Sequence, residues 1–355
     1  MTESVVRVLV VDDSASSREL LVGMLNADPR LQVVGIAADG EAAVAAAQRL
    51  RPDVITMDIH LPGLDGFGAT RRIMESCPTR IVMVTATSMP NDVAASFQAL
   101  ESGALAVLGK PPGPGHALFG QARDELLRTV TLMAEVPVVR RWPAQRRAAD
   151  SAARASRIAI APAEREVRLV AIGASTGGPL ALQAILSRLN AGFGAPIVIV
   201  QHISTGFADG LAQWLAQSTG YPVRVAVHAD CMQPGVAYVA PDDAQMKVHG
   251  NGRIALTDEP PEQGFRPAVA SLFRSVAEHY GRRAAGVLLT GMGIDGAVEL
   301  KRLRDTGALT IVQDRDSAVI YGMPGEALRL DAAMHVMPPE AIAATLNQLV
   351  DHQGK

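Results

Sequence analysis

Residues 5–14 have the sequence VVRVLVVDDS, in which a valine-rich run leads directly into two aspartates. Four similar apolar runs follow at 31–37, 53–57, 80–85 and 105–109, and Ala/Leu-rich stretches of helical length separate them. Because these runs show no polar alternation, they are typical of parallel strands that are buried on both faces. The repeated alternation of strand and helix predicts an α/β domain with a doubly wound parallel sheet.

The second half of the chain repeats this pattern. Strand-like runs occupy 167–173, 196–200, 223–227 and 285–290, with helical stretches between most of them. Between residues 236 and 257 the pattern changes to short alternating runs divided by Asp/Gly-rich breaks, which predicts a β-hairpin insertion beside the sheet. The sequence therefore predicts a second doubly wound α/β domain with a parallel sheet.

Composition limits the class of protein. Of the 355 residues, 48% are hydrophobic and 19% are charged, which is enough apolar material for one or more cores and excludes a disordered chain. The net charge of −3 gives no basic field for a nucleic acid or a membrane surface. No apolar run approaches the roughly 18 residues of a membrane span, and the first residues do not resemble a signal peptide. We therefore expect a cytoplasmic protein that neither binds nucleic acid nor inserts into a membrane.

The change in pattern between the two halves predicts three segments. Residues 1–125 form the first domain, 126–165 form a linker and 166–355 form the second domain. Residues 137–165 carry seven arginines against two acidic residues. Such a stretch could bind a nucleic acid or an acidic partner, but its composition favours a solvated tether.

Polar side chains follow four strands of the first domain. Asp12 and Asp13 follow the first strand, Asp58 the third, Thr85 the fourth and Lys110 the fifth. A lone carboxylate after a strand is usually a helix N-cap, but side chains at the carboxyl ends of parallel strands converge. Three converging carboxylates repel one another unless a divalent cation neutralises them, and their oxygens suit Mg²⁺. Asp58 could then attack a phosphoryl group whose oxygens contact Thr85 and Lys110.

Four motifs of the first domain resemble the receiver domain of two-component response regulators. They are VVDDS (10–14), MDIHLPGLDG (57–66), MVTATS (83–88) and GALAVLGKPP (103–112). The resemblance implies a flavodoxin-like fold, phosphorylation of Asp58 by a histidine kinase, Mg²⁺ binding by Asp12, Asp13 and Asp58, and a response of the threonine and lysine to the phosphoryl group. Many receivers have an aromatic residue three positions before the lysine, where this chain has Val107. The signal must therefore leave this receiver without rotation of a ring at that position.

The first strand of the second domain leads into the turn GASTGGP (173–179), which precedes a helix. Ser175 would be exposed on this turn, beside N–H groups that can stabilise an oxyanion. Taken alone, the turn fits a nucleophile, a phosphate-binding loop or an ordinary glycine-rich turn. Two later strands lead to His202 and to the glycine-flanked Asp295, so all three side chains are expected at one sheet edge. They make up a nucleophilic triad in the chain order Ser–His–Asp, which differs from the order in α/β-hydrolases.

Five motifs of the second domain resemble the catalytic domain of chemotaxis protein-glutamate methylesterases. They are AIGASTGG (171–178), QHIS (201–204), FRPAVASLFRSVA (265–277), VLLTGMGIDGA (287–297) and QDRDSAVIYGMP (313–324). The resemblance implies a Rossmann-like fold and hydrolysis of glutamyl γ-methyl esters on the cytoplasmic helices of chemoreceptors, with deamidation of glutamines in some members and no cofactor for the esterase reaction. It makes Ser175 the nucleophile, His202 the base and Asp295 the residue that orients the base. The backbone amides near Thr176 and Met292 would form the oxyanion hole.

Receiver, linker and catalytic domain together match the architecture of that family, so the resemblance covers nearly the whole chain. A phosphoacceptor site and a triad joined by one tether predict an esterase gated by phosphorylation. Contact between the unphosphorylated receiver and the catalytic domain would cover the triad until phosphorylation of Asp58 loosens it. Many members have a serine where this chain has Ala268. That difference leaves the triad intact and is expected to alter contacts with the substrate.

Two other functions remain open from the residues alone. In a signalling adaptor, the loop of Ser175 would only bind an anion. A transcription factor would need a helix-turn-helix with a basic recognition helix, whereas the second domain alternates strand and helix and the basic cluster lies in the linker.

Overall fold

The computed structural model describes residues 5–85, 97, 100, 102–136 and 166–351. The chain forms two compact units, Met1–Trp142 and Pro143–Lys355. Each unit contains a parallel sheet whose strands are connected mainly by helices, which confirms the prediction of two α/β domains. The arginine-rich segment at 137–165 lies outside the described residues.

The first unit is built on a five-stranded parallel sheet. Its strands are β1 (Val6–Val11), β2 (Leu31–Ala37), β3 (Val54–Met57), β4 (Arg80–Thr85) and β5 (Ala106–Gly109). They lie in the order β2-β1-β3-β4-β5, which is the order of flavodoxin-like folds, as the sequence predicts. Most apolar side chains of β1, β3 and β4 are buried, because strands in the middle of such a sheet are covered on both faces.

The helices described in this unit are α1 (Ala15–Asn26), α2 (Gly40–Leu50), α3 (Gly66–Ser76) and α4 (Phe119–Glu135). Side chains of Ser14, Asp39 and Asp65 cap the first three helices, each by accepting a hydrogen bond from a backbone N–H of the first turn. Two of these caps lie in the loops that follow β1 and β3. They therefore help to fix the loops that carry Asp12 and Asp58.

Helix α4 continues past residue 125, the predicted end of the first domain. Its residues Leu126, Val130 and Met133 are buried, and the helix contacts β3, β4 and β5. Their spacing of four and three residues is that of the apolar stripe of an amphipathic helix. The predicted boundary at 125 thus falls inside a packed helix, and residues 126–135 belong to the first unit rather than to the linker.

The second unit contains nine strands in the described residues. In chain order they are β6 (Leu169–Ala174), β7 (Ile197–Gln201), β8 (Val223–Val225), β9 (Ala237–Val239), β10 (Gln245–Val248), β11 (Ile254–Thr257), β12 (Ala284–Leu288), β13 (Leu309–Gln313) and β14 (His335–Met337). All except β10 and β11 form one parallel sheet in the order β14-β13-β12-β6-β7-β9-β8. The chain builds outward from β6 on one side and then returns to build the other side from β12. A crevice forms at the carboxyl ends of strands where the order reverses in this way.

The predicted hairpin insertion at 236–257 is only partly correct. Strands β10 and β11 pair antiparallel, but β9 pairs in parallel with β7 and β8 and belongs to the main sheet. Strand β9 has only three residues, all buried, which is too short a run to distinguish a sheet strand from one arm of a hairpin.

The helices described in the second unit are α5 (Gly178–Leu186), α6 (Ala208–Thr219), α7 (Val269–His279), α8 (Ala297–Asp305), α9 (Met323–Arg329) and α10 (Pro339–Asp351), with a 3₁₀ turn at Gly281–Arg283. Helix α7 buries Leu272, Phe273 and Val276 in the same core as residues of β6 and β12. This packing holds the N-terminus of α7 near the carboxyl ends of those strands.

Candidate functional sites

Ser175 and His202 lie next to each other at the carboxyl edge of the second sheet. Ala174 of β6 and Gln201 of β7 are partners in the parallel ladder, and each candidate residue comes directly after one of them. The backbone N–H of His202 donates to the Ala174 carbonyl at 2.9 Å, and that of Ser175 donates to the Thr290 carbonyl at 3.0 Å. The loops after β6, β7 and β12 therefore meet at one place, as the sequence predicts.

The turn that carries Ser175 differs from the strained elbow of α/β-hydrolases. The positive φ of this turn belongs to Gly177 (φ 81°), the N-cap residue of α5, and not to Ser175. A Cβ at Gly177 would lie 2.6 Å from Cβ of Val319, so the loop after β13 packs directly against the turn. Glycine is required here both for its backbone angle and for the close approach of that loop.

Asp295 holds the imidazole of His202. Nε2 of His202 lies 2.8 Å from Oδ2 of Asp295, and the carboxyl group is fully buried. The same carboxyl group accepts hydrogen bonds from the backbone N–H groups of Val269 (2.7 Å) and Ala270 (2.9 Å), the first two residues of α7. The preceding residue, Ala268, has no side chain that can cap the helix, so Asp295 serves as the cap. The helix N-terminus therefore stabilises the negative charge that faces the histidine.

Phe265 covers one face of the His202 imidazole, and the second ring nitrogen, Nδ1, is buried. The ring of Phe265 stacks on the imidazole with centroids 3.8 Å apart and planes within 3°. Phe265 ends a tight turn in which Gln263 and Gly264 both have positive φ. Nδ1 of His202 is buried and has no hydrogen-bond partner among the described residues, and no hydrogen bond joins it to the Ser175 hydroxyl. The sequence did not single out Phe265, because only the folded turn brings it to the histidine.

The two proposed oxyanion amides lie on loops that are held by hydrogen bonds. The Thr176 carbonyl accepts from the Thr290 hydroxyl at 2.9 Å. The Gly291 carbonyl accepts from the N–H groups of Gly322 (3.1 Å) and Met323 (3.0 Å). Within the described residues, the N–H groups of Thr176 and Met292 donate no hydrogen bond of their own.

The acidic residues of the first unit also come together. Carboxyl oxygens of Asp12, Asp13 and Asp58 lie within 4.8 Å of one another; Asp12 and Asp58 are buried and Asp13 is exposed. Nζ of Lys110 lies 2.8 Å from Oδ2 of Asp12 and 2.6 Å from Oδ2 of Asp58. The backbone N–H of Lys110 donates to the carbonyl of the buried Thr85 at 2.8 Å, so all five predicted residues meet at one edge.

Burial and charge act in opposite directions on this cluster. Burial raises the pKa of Asp58, although Lys110 opposes the shift. Burial alone would lower the pKa of Lys110, but its hydrogen bonds and charge contacts with Asp12 and Asp58 raise it. The lysine supplies one positive charge to a group of three carboxyls, which leaves the cluster short of positive charge.

Comparison with known proteins separates the two units in the same way. The response regulator receiver domain matches residues 8–118, and the CheB methylesterase family matches residues 170–346. A protein-glutamate methylesterase/protein-glutamine glutaminase of Geobacter metallireducens is 51% identical over 97% of this chain and 99% of its own. The chain belongs to the CheB methylesterase family.

Other members of the CheB methylesterase family are similar to this chain in sequence and in structure. A protein-glutamate methylesterase/protein-glutamine glutaminase of Nitrosospira multiformis is 49% identical over 99% of this chain and 98% of its own. The crystal structure of the Thermotoga maritima CheB methylesterase catalytic domain is 34% identical and superposes with a TM-score of 0.50, covering 52% of this chain and 99% of that one. Helices with the length and apolar character of a membrane span do not occur in the described part of this CheB family member.

Proposed function

We propose that this chain is a protein-glutamate methylesterase in which Ser175, His202 and Asp295 form the catalytic triad and the receiver domain controls the rate. Its substrates are glutamate γ-methyl esters on the cytoplasmic domains of chemoreceptors, and the same site deamidates glutamines. The observation that carries the proposal is that these three residues meet at the carboxyl edge of the sheet in the CheB methylesterase domain, where Asp295 is hydrogen-bonded to one ring nitrogen of His202. The relatives' names supply the reacting groups, glutamate methyl esters and glutamines of a protein, and the chemoreceptors come from the family resemblance.

In this mechanism, the hydrogen bond to Asp295 keeps the proton of neutral His202 on Nε2, which leaves the lone pair on Nδ1. Nδ1 takes the proton of the Ser175 hydroxyl as its oxygen attacks the ester carbonyl. The oxyanion of the tetrahedral intermediate accepts hydrogen bonds from the backbone N–H groups of Thr176 and Met292. The bond to the methoxy group then breaks, and methanol leaves with the proton from Nδ1.

The second half of the reaction regenerates the enzyme. Nδ1 of His202 takes a proton from a water molecule, whose oxygen attacks the acyl group on Ser175. The acyl–oxygen bond breaks, the serine oxygen regains a proton from His202, and the glutamate side chain is released. For a glutamine substrate, ammonia leaves in place of methanol.

The triad is tested by methanol release from a methylated receptor fragment. Ser175→Ala is expected to lower the rate by roughly 10⁶-fold, since it removes the nucleophile. A fluorophosphonate should label the wild type at Ser175, and His202→Ala should block the labelling. A Ser175→Ala protein with the wild-type rate, or labelling that does not need His202, would favour the adaptor function instead.

For the receiver, we propose that Asp12, Asp13 and Asp58 bind Mg²⁺. Three carboxyls within 4.8 Å, balanced by one lysine, fit a divalent cation with oxygen ligands. The bound cation would neutralise charge on the incoming phosphoryl group. A carboxylate oxygen of Asp58 attacks the phosphorus of a phosphohistidine on the kinase, the P–N bond breaks, and Lys110 and Thr85 contact the transferred phosphoryl oxygens.

Control of the esterase by the receiver is tested with a small phosphodonor such as acetyl phosphate and Mg²⁺. The donor should stimulate methanol release by the wild type, and Asp58→Asn should abolish the stimulation. Asp39→Asn is a matched control, because asparagine still caps α2 and the stimulation should remain. Full stimulation of Asp58→Asn would contradict the proposed control.

A further inference from the structure

We infer that Gln201 is a positioning residue for the hydrolysis, because its side-chain amide sets the direction of the oxyanion donor at Thr176 and ties the nucleophile to the base. The inference rests on the proposed function. Gln201 is the last residue of β7 and is 4% exposed. Its role would be to act through the backbone of its neighbours rather than on the substrate.

The amide of Gln201 joins the two residues that must cooperate. Its Nε2 donates to the carbonyl oxygen of Ser175 at 2.8 Å and to the carbonyl oxygen of His202 at 2.8 Å. One NH₂ group therefore uses both of its protons to link the nucleophile loop to the loop of the base. The Ser175 carbonyl also accepts from the N–H of Gly178 at 2.8 Å, so two donors hold it.

The direction of the oxyanion donor follows from the planarity of the peptide bond. The carbonyl of Ser175 and the N–H of Thr176 belong to one peptide group, in which they point in opposite directions. Two donors on the carbonyl side therefore fix the N–H on the other side. Hydrogen bonds to a carbonyl also polarise the peptide and strengthen its N–H as a donor. That N–H has no acceptor among the described residues, so it is free to bind an oxyanion.

The side-chain amide of Gln201 fits against the nucleophile turn only because residue 178 is a glycine. A Cβ on Gly178 would lie 2.0 Å from Oε1 of Gln201 and 2.9 Å from its Cδ. Oε1 is buried without a hydrogen-bond partner among the described residues, which is an energetic cost. The reversed amide would place Oε1 against two carbonyl oxygens, so the hydrogen bonds fix its orientation. A buried amide that leaves its acceptor unused is retained here for its two donated bonds.

The first test is Gln201→Met, which keeps the size of the side chain and removes both donors. We expect kcat for methanol release to fall by about 10–100-fold while KM changes by less than about twofold, because only the transition state uses the oxyanion donor. Fluorophosphonate labelling should slow by a similar factor. Ser275→Ala is the matched control: the Ser275 hydroxyl is buried and makes two hydrogen bonds within α7 and β10, so its loss should lower the melting temperature and leave kcat unchanged.

A pH profile separates positioning from packing. The carboxyl group introduced by Gln201→Glu can donate to a carbonyl only when it is protonated. The ratio of kcat for Gln201→Glu to kcat for Gln201→Met should therefore rise as pH falls. A flat ratio, or a wild-type kcat in Gln201→Met, would overturn the inference.

The amide resonance of Thr176 provides a readout that does not depend on turnover. Loss of the bond to the Ser175 carbonyl should shift its ¹⁵N signal in Gln201→Met and not in Ser275→Ala. An unshifted signal would overturn the role of Gln201 even in an active enzyme. If the wild type released no methanol while the signal shifted, the proposed function would fail and the positioning of Thr176 by Gln201 would stand.

Discussion

Nε2 of His202 lies 2.8 Å from Oδ2 of Asp295, and that same oxygen accepts the backbone N–H of Val269, the first residue of α7. The start of a helix and the orientation of the proposed base thus depend on one carboxyl group. Because Ala268 offers no hydroxyl, the capping of α7 and the orientation of the histidine cannot be separated in the native chain. They can be separated by mutation.

Asp295→Ala should affect both stability and catalysis. Removal of the carboxyl leaves His202 without its orienting partner, and kcat should fall by roughly 10⁴-fold. It also leaves two buried N–H groups of α7 without an acceptor, which should lower the free energy of unfolding by about 1–3 kcal/mol. Methanol release and chemical denaturation measure the two effects.

Adding Ala268→Ser to Asp295→Ala should restore stability but not catalysis. Residue 268 has the extended backbone of an N-cap, so a serine there can accept a helix N–H and recover about 1 kcal/mol of stability. A serine hydroxyl at residue 268 does not replace the carboxylate that orients Nε2 of His202, so kcat should stay low. Recovery of kcat along with stability would mean that Asp295 acts only as a structural cap.

Phe265→Leu should weaken the support of the imidazole ring. Leucine retains apolar bulk but not the flat face that stacks on His202 at 3.8 Å. Stacked aromatic pairs contribute about 0.5–1.5 kcal/mol beyond their buried area, so kcat should fall by roughly 2–12-fold. Phe193→Leu, at a fully buried phenylalanine in another loop, is the control and should lower stability without this loss. Equal kcat in the two variants would contradict a role for the stacking.

The sequence predicts the triad because parallel strands bring residues that are far apart in the chain to a common edge. Ser175, His202 and Asp295 each follow a strand, so strand prediction alone indicates their convergence. The contacts of Phe265 and Gln201 could not be predicted in this way. The first depends on a turn whose position relative to β7 is set only by tertiary packing, and the second on the direction of a side chain at a strand end.

The same distinction explains the errors in the fold. The stripe of Leu126, Val130 and Met133 lies beyond the predicted boundary at 125, and it is the packing of this helix against β3, β4 and β5 that assigns it to the first unit. Strand β9 is recognisable only from its neighbours in the sheet, since three residues carry too little pattern. Long, strongly apolar runs are therefore predictable, whereas short strands and element ends depend on what packs against them.

Gly178→Ala should reproduce the effect of removing the Gln201 amide. The added methyl group would lie 2.0 Å from Oε1, so the side chain of Gln201 must move away from the Ser175 carbonyl. We expect a loss of kcat of the same order as in Gln201→Met, about 10–100-fold. Because both changes break the same contacts, the double variant should be no worse than the more damaged single variant, whereas independent effects would multiply. Gly252→Ala is the control, because a Cβ there meets no other atom within 4 Å. The positive φ of Gly252 means that its substitution also strains the backbone, so this variant shows whether lost stability alone lowers kcat.

The last prediction concerns Asp242, whose Oδ2 accepts the N–H of Gly206 at 2.7 Å in the loop that follows His202. Burial raises the pKa of Asp242 above its ordinary value of 3.8, and the charges of Asp243 and Asp209 add to the shift against the hydrogen bond from Gly206. Between pH 3.8 and the raised pKa, the folded chain therefore binds more protons than the unfolded chain. The free energy of unfolding is for this reason highest below that window and falls as the pH rises through it. Asp242→Asn keeps an oxygen acceptor for Gly206 and removes the ionisation. Calorimetry of the full chain should show the variant more stable than the wild type at about pH 7 and equal to it at about pH 3. A variant that is less stable at neutral pH would show that the carboxylate charge, and not only its oxygen, holds the loop.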